Sequence, residues 1–203
     1  MLEAQNLSCA RGGRELLRGL SFALKGGELL RIAGANGSGK TTLLKILCGL
    51  LAPDAGDVRW HGTPIRQLRE DFSRHLLYLG HAPAVKDDLS AAENLAVACT
   101  LAGRTAAPQA VHEALAQYGL AADGVPVRRL SQGQRRRAAL ARLLLSADAP
   151  LWLLDEPFAA LDTKAAAFTE QHIARHVAAG GAVVYSTHQE ANIGAAVQRV
   201  VEL

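Results

Sequence analysis

The sequence predicts an α/β fold built on a mostly parallel sheet. Three observations predict it. Short apolar runs alternate with helical patterns along most of the chain, the arrangement that parallel strands and their crossover helices require. The apolar run ELLRIAG, from Glu28, leads straight into GANGSGKT and then into a helical pattern. From Asp87 to about residue 147 the alternation gives way to helices alone, which reads as an insertion.

In chain order, Leu2 to Leu7 and Leu20 to Leu24 read as short strands separated by the turn-rich RGGRE, and Gly26-Gly27 marks another turn. The run from Glu28 is a strand. Lys40 to Leu51 is a helix by pattern, with Leu43, Leu44, Leu47 and Leu50 near helical spacing. PDAG at Pro53 is a turn, and Asp57 to His61 and His75 to Leu79 are strands. In the helical stretch, Ser90 and Glu93 have the spacing of a capping box. A second helix spans about Gln109 to Tyr118, and a third follows Ser131. LWLLDEP reads as a buried strand, Thr163 to Ala178 as a helix, and AVVYSTH and VQRVVEL as strands.

Bulk properties narrow the class. The 203 residues suffice for one good-sized core, or a core with a small subdomain. With 49% hydrophobic and 20% charged residues the chain is globular. Its 22 basic residues face 19 acidic ones, a net +3, which gives no reason to expect a nucleic-acid partner. Three widely spaced cysteines, Cys9, Cys48 and Cys99, form no disulfide or zinc pattern and fit a reducing compartment. The N-terminal MLEAQNLSCARGG lacks the apolar core of a signal peptide, and no run is long enough to cross a bilayer. Any membrane role is expected to come through a partner.

Two anion-binding devices stand far apart. Gly34-Ala35-Asn36-Gly37-Ser38-Gly39-Lys40-Thr41 matches the pattern G-x-x-x-x-G-K-[ST] between a strand and a helix. Its glycines let successive N–H groups turn toward one point, and the helix N-terminus adds roughly half a positive charge. Lys40 is expected to reach the β- and γ-phosphates of a nucleotide, and Thr41 to place its hydroxyl on Mg²⁺. At the end of LWLLDEP, where ligands bind in such sheets, Asp155 is the candidate Mg²⁺ ligand and Glu156 the group that polarises an attacking water. The second device is LSQGQ, from Leu130, at the mouth of a helix. One chain rarely needs two for one nucleotide, so the second is read as serving a nucleotide held on another copy.

In this order GANGSGKTT, LSQGQ, LWLLDEP, ALD (Ala160 to Asp162) and STH (Ser186 to His188) resemble the nucleotide-binding subunits of ATP-binding cassette (ABC) transporters along nearly the whole chain. The resemblance implies a P-loop NTPase core with an antiparallel β subdomain and an α-helical subdomain, residues 1–203 forming one domain with the helices at about 87–147. It implies a homodimer that sandwiches two ATP molecules head to tail. Gly34 to Thr42, Thr42 included, would hold the phosphates of one ATP, while Ser131, Gln132 and Gly133 would contact the γ-phosphate of the ATP on the other copy. Asp162 would link the two sites, and His188 would be the switch histidine.

Three positions depart from the family pattern. Gln132 stands where the signature usually has glycine. His81, after Tyr78-Leu79-Gly80, takes the place of a metal-sensing glutamine, and a neutral imidazole can still accept from a metal-bound water. Arg11 falls where an aromatic usually stacks on the base, a task a guanidinium can perform. YLGHAPAVKDDLSAAENL, with its Gly80-His81 and Glu93-Asn94-Leu95, and Ser186-Thr187-His188-Gln189 resemble the cytochrome c biogenesis subfamily of haem-exporter ATP-binding subunits. That likeness implies a peripheral ATPase on the cytoplasmic face of the bacterial inner membrane, integral membrane subunits carrying the haem path, and a periplasmic haem chaperone as acceptor. The alternatives are an ABC subunit for another cargo, since nothing here contacts the cargo, and a soluble cassette ATPase.

Two features are set aside. His172 and His176, one helical turn apart, lack the acidic companion of a metal motif. Arg135 to Arg137 are read as solvating the helix after the signature or pairing with acids.

Overall fold

The structure is a computed structural model and describes residues 1–121, 124–188, 193–195 and 197–203. Strands β1 (Leu2–Arg11) and β2 (Arg14–Leu24) form an antiparallel hairpin. They are longer than expected because Gly12 and Gly13, at φ 58° and 76°, make a two-residue turn that lets pairing run to Arg11 and Arg14. After β3 (Leu29–Ala33) comes α1 (Lys40–Leu47). This helix stops four residues short of Leu51. Gly49 adopts φ 79° just past the cap and turns the chain, leaving Leu50 67% exposed.

Strands β4 (Ala55–Trp60) and β5 (Thr63–Pro64) extend the antiparallel sheet to the order β2-β1-β4-β5. Two short helices absent from the sequence reading, α2 (Ile65–Leu68) and α3 (Glu70–Arg74), lead into β6 (Leu76–Leu79). The helical stretch holds α4 (Ala91–Leu101), α5 (Pro108–Gln117) and α6 (Gln132–Leu140), the last running on in a 3₁₀ segment, Ala141–Leu145. Ser90 and Glu93 form the expected capping box on α4. Then follow β7 (Leu151–Asp155), α7 (Thr163–Ala178), β8 (Ala182–Ser186) and β9 (Gln198–Glu202).

The second sheet is parallel, in the order β6-β7-β8-β3-β9. Both faces are covered, which explains why its strands read as continuous apolar runs. The two-residue period divides them. Trp152, Leu154, Val183 and Tyr185 face a core completed by α4, α5, α6 and α7 through Leu95, Leu115, Leu140 and Ile173. Leu151, Leu153, Val184 and Ile32 face a second core, shared with α1 and the antiparallel sheet. An eight-residue helix such as α1 is marginal on its own. Leu43, Leu44 and Leu47 are fully buried, and at about 2 kcal/mol each their burial fixes α1 and the loop before it. The C-terminal ends of β6, β7, β8 and β3 therefore open on one side of the sheet. Among the described residues no helix is long and apolar enough to cross a membrane.

Candidate nucleotide site

The loop from Gly34 to Gly39 joins β3 to α1. Gly34 adopts φ 148°, and a Cβ there would stand 2.6 Å from Ser38 Oγ and 2.7 Å from the Leu203 carbonyl. Gly37 (φ 77°) and Gly39 (φ 110°) are also left-handed, and a Cβ on Gly39 would press on Leu16 of β2. Ala35, Asn36 and Gly37 form the exposed crest, closed by the bond from Ser38 N–H to the Ala35 carbonyl, 3.1 Å. Lys40 is buried at the helix start, and its ammonium donates to the carbonyls of Gly34 (2.8 Å) and Ala35 (3.0 Å). A buried cation held only by neutral carbonyls is suited to an anion above the loop.

The acids lie opposite. Asp155, 1% exposed, ends β7 and accepts from Thr41 Oγ1 at 2.8 Å on one oxygen and from Ser186 Oγ at 2.7 Å on the other. Ser186, at the end of β8, in turn accepts from the Glu156 N–H at 3.0 Å. Glu156 is nearly buried and holds an uncommon φ of 49°. Its Oε2 lies 3.0 Å from His188 Nδ1. A cleft of about 460 Å³ is lined by Asn36, Gly37, Gly39, Lys40, Thr41 and Thr42 on one side and by His81, Glu156 and His188 on the other, with Leu16 at its edge. The Thr41 and Asp155 donors are all oxygen, a hydroxyl beside a carboxylate, which fits Mg²⁺.

The other expected residues stand apart from this cleft. Ser131 caps α6: its hydroxyl accepts from Gln134 N–H while Gln134 Oε1 accepts from Ser131 N–H. That leaves the N–H groups of Gln132 and Gly133 on the exposed first turn. Gly133 packs on the loop after β7, where a Cβ would stand 2.9 Å from the Ala160 carbonyl. Asp162 caps α7 through the Ala165 N–H at 2.8 Å. Arg11 is exposed at the hairpin tip and does not line the cleft, whereas Leu16 does. Gln189 lies outside the described residues.

The reading of Arg135 to Arg137 as solvating the helix or pairing with acids holds for Arg135 and needs correction at Arg136. Arg135 pairs with Asp87 at 3.2 Å and Arg137 donates to the Tyr118 carbonyl, but Arg136 is 4% exposed and bonded inside the protein. Helical spacing carried a signal for this, since Arg136 shares a face with Leu140 and Leu143. Ser186 had no such signal, because its two partners come from another strand. The histidine pair is structural. His176 stacks on Trp152 with 3.7 Å between ring centroids, and burial pushes its pKa down to about 4. His172 lies against Phe168, and among the described residues no group of metal-binding side chains forms.

Comparison with known proteins agrees with this geometry. Residues 17–159 match the ABC transporter family. The chain is 54% identical over 192 residues to the cytochrome c biogenesis ATP-binding export protein CcmA of Aromatoleum aromaticum, covering 94% of this chain and 90% of that one. It is 48% identical over 204 residues to the CcmA of Dechloromonas aromatica, covering all of both chains. Among solved structures, a putative ABC transporter ATP-binding protein from Pyrococcus furiosus superposes with a TM-score of 0.83 at 26% identity, covering 98% of this chain and 96% of the other. The dimeric ATP-binding cassette MJ0796, in a post-hydrolysis state with ADP and Pi, gives 0.81 at 26% identity, covering 93% and 88%.

Proposed function

This chain belongs to the ABC transporter family, among the cytochrome c biogenesis ATP-binding export proteins, and from that premise we propose how its site works. The protein is an ATP-hydrolysing enzyme subunit of the cytochrome c maturation type. The observation that carries the mechanism is the convergence of Lys40, Thr41, Glu156 and His188 on one cleft.

The backbone of Gly34 to Gly39 wraps the phosphates of ATP, and Lys40 exchanges its carbonyl contacts for the β- and γ-phosphates. Thr41 and Asp155 would hold Mg²⁺ through their oxygens, and His81, which lines the same cleft, would accept from a water on that ion. When bound, Mg²⁺ neutralises charge on the β- and γ-phosphates. Glu156 takes the proton of the attacking water, and His188, hydrogen-bonded to it, faces the γ-phosphate. Ser131, Gln132 and Gly133 serve the γ-phosphate bound on a second copy, and Asp162 joins the two sites across that interface. Ser131, Gln132 and Gly133 do not line the chain's own cleft, which supports this head-to-tail homodimer. Arg11, exposed at the hairpin tip, stacks on adenine from outside the cleft, whose wall on that side is Leu16.

Residues 1–203 act as one nucleotide-binding domain, with the helices between about 87 and 147 as its helical subdomain. It works on the cytoplasmic face of the bacterial inner membrane, bound to integral membrane subunits, and couples hydrolysis to haem export or to release of a haem-loaded chaperone. A tagged chain isolated from detergent-solubilised membranes tests this. Recovery of cytochrome c maturation membrane proteins, with haem absorbance in the eluate, supports the reading. Recovery of an unrelated permease keeps the ATPase and discards haem. Recovery of no membrane protein overturns the assembly.

A further inference from the structure

Arg136 projects from the second turn of α6 into the protein and binds four carbonyls on two separate segments. Its Nη2 donates to Asp155 O (2.8 Å) and Glu156 O (2.7 Å), and its Nη1 donates to Gly80 O (3.0 Å) and His81 O (3.3 Å). Arg136 is 4% exposed, and its Nε has no partner among the described residues. A cation taken that far out of water is retained only where its donors are bonded. Among the described residues no carboxylate oxygen binds it. Its partners there are peptide oxygens, with the charges of Asp155 and Glu156 nearby offsetting part of the desolvation.

The consequence falls on Glu156. Its φ of 49° is one that residues with a Cβ seldom adopt. The backbone of Glu156 is held on both sides of its Cα: Ser186 Oγ accepts from its N–H at 3.0 Å, and Arg136 donates to its carbonyl at 2.7 Å. The same carbonyl also accepts from Ala159 N–H at 3.1 Å. Arg136 ties this unusual peptide to the His81 segment and, through its own backbone, to the helix that begins at Ser131.

We propose that Arg136 is a positioning residue for hydrolysis: it holds the Glu156 peptide in its left-handed conformation and locks it to the His81 loop and the signature helix, so that the three move together. This rests on Glu156 acting on the attacking water. A shift of about 1 Å in such a group costs on the order of 10²-fold in rate. Arg136→Gln therefore lowers kcat about 10²-fold with KM for ATP and ATP affinity unchanged, and Arg136→Lys, which keeps the cation but not the fork, falls between.

The test uses the full chain in the complex that a tag on it isolates. Turnover and ATP affinity are measured for both variants beside Glu156→Gln, and amide hydrogen exchange is followed without nucleotide. Faster exchange confined to residues 76–86 and 153–161, with kcat lost and affinity kept, supports the proposal. Wild-type kcat in Arg136→Lys and Arg136→Gln while Glu156→Gln is inactive overturns it and leaves the site reading intact. Wild-type turnover in Glu156→Gln removes the site reading itself. If Arg136→Gln does not fold, Arg136→Lys decides: exchange rising throughout the chain, or affinity lost in step with kcat, reduces Arg136 to a structural role.

Discussion

The imidazole Nδ1 of His188 stands 3.0 Å from Oε2 of Glu156, and the His188 N–H donates to the same oxygen at 3.4 Å. One oxygen of the carboxylate is thus claimed by the segment after β8, and Glu156 lines the same cleft as the phosphate loop. The contact joins the ends of two neighbouring parallel strands, which come together only when the sheet forms.

Glu156→Gln keeps the shape of that contact and removes the proton acceptor. Hydrolysis is expected to slow by at least ~10²-fold, the range for loss of a general base. ATP binding persists, so the variant accumulates as an ATP-bound dimer. Turnover assays and size-exclusion chromatography with ATP check both points, and normal turnover would take Glu156 out of catalysis.

His81 lines the cleft, and its carbonyl is held by Arg136 at 3.3 Å. The loop's position therefore does not depend on the imidazole. His81→Gln is expected to retain ATP turnover, because a glutamine oxygen accepts from a metal-bound water as a neutral imidazole does. Loss of turnover in a steady-state assay would assign the imidazole a task of its own.

Gly133→Ala sets local and tertiary effects against each other. Alanine favours a helix over glycine by about 1 kcal/mol, yet its Cβ would stand 2.9 Å from the Ala160 carbonyl. The backbone must move, and α6 shifts against the loop between Glu156 and Asp162. Turnover is expected to fall about 10-fold or more, following the cost of misplacing catalytic groups. The melting temperature should not fall in proportion, and assaying both separates the two effects.

His176 makes the fold sensitive to acid. Its ring lies flat on Trp152 (interplanar angle 4°), a Cβ on Gly181 would collide with it, and its buried Nε2 has no partner among the described residues. Burial, aided by the charge of His172, lowers its pKa to about 4 from an ordinary value of about 6.5. Above about pH 6.5 neither the folded nor the unfolded form is protonated there. Between about 6.5 and 4 the unfolded chain takes up a proton that the fold refuses, so stability falls with falling pH. His176→Phe, which strands no hydrogen bond, should show a smaller drop in melting temperature between pH 7 and pH 5 than the wild type.

The elements whose signals are local could be read directly from the chain. The phosphate loop is written in consecutive glycines between an apolar strand and a helix. The capping box at Ser90 is set by residues three apart, and α7 follows from its helical spacing. Asp155 and Glu156 were legible because they end an unbroken apolar run. The tertiary structure decided what depends on distant partners. The placing of β3 between β8 and β9, and so the meeting of Thr41 with Asp155 across 114 positions, is a matter of sheet order. So is Ser186 joining Asp155 to Glu156. Arg136 is the sharpest case. Amid three consecutive arginines its residue type suggests water, and only the packing of α6 against β6 and β7 brings four carbonyls around it. A buried cation is stable only where the fold supplies its partners, and those partners are peptide oxygens, which every sequence contains and none displays.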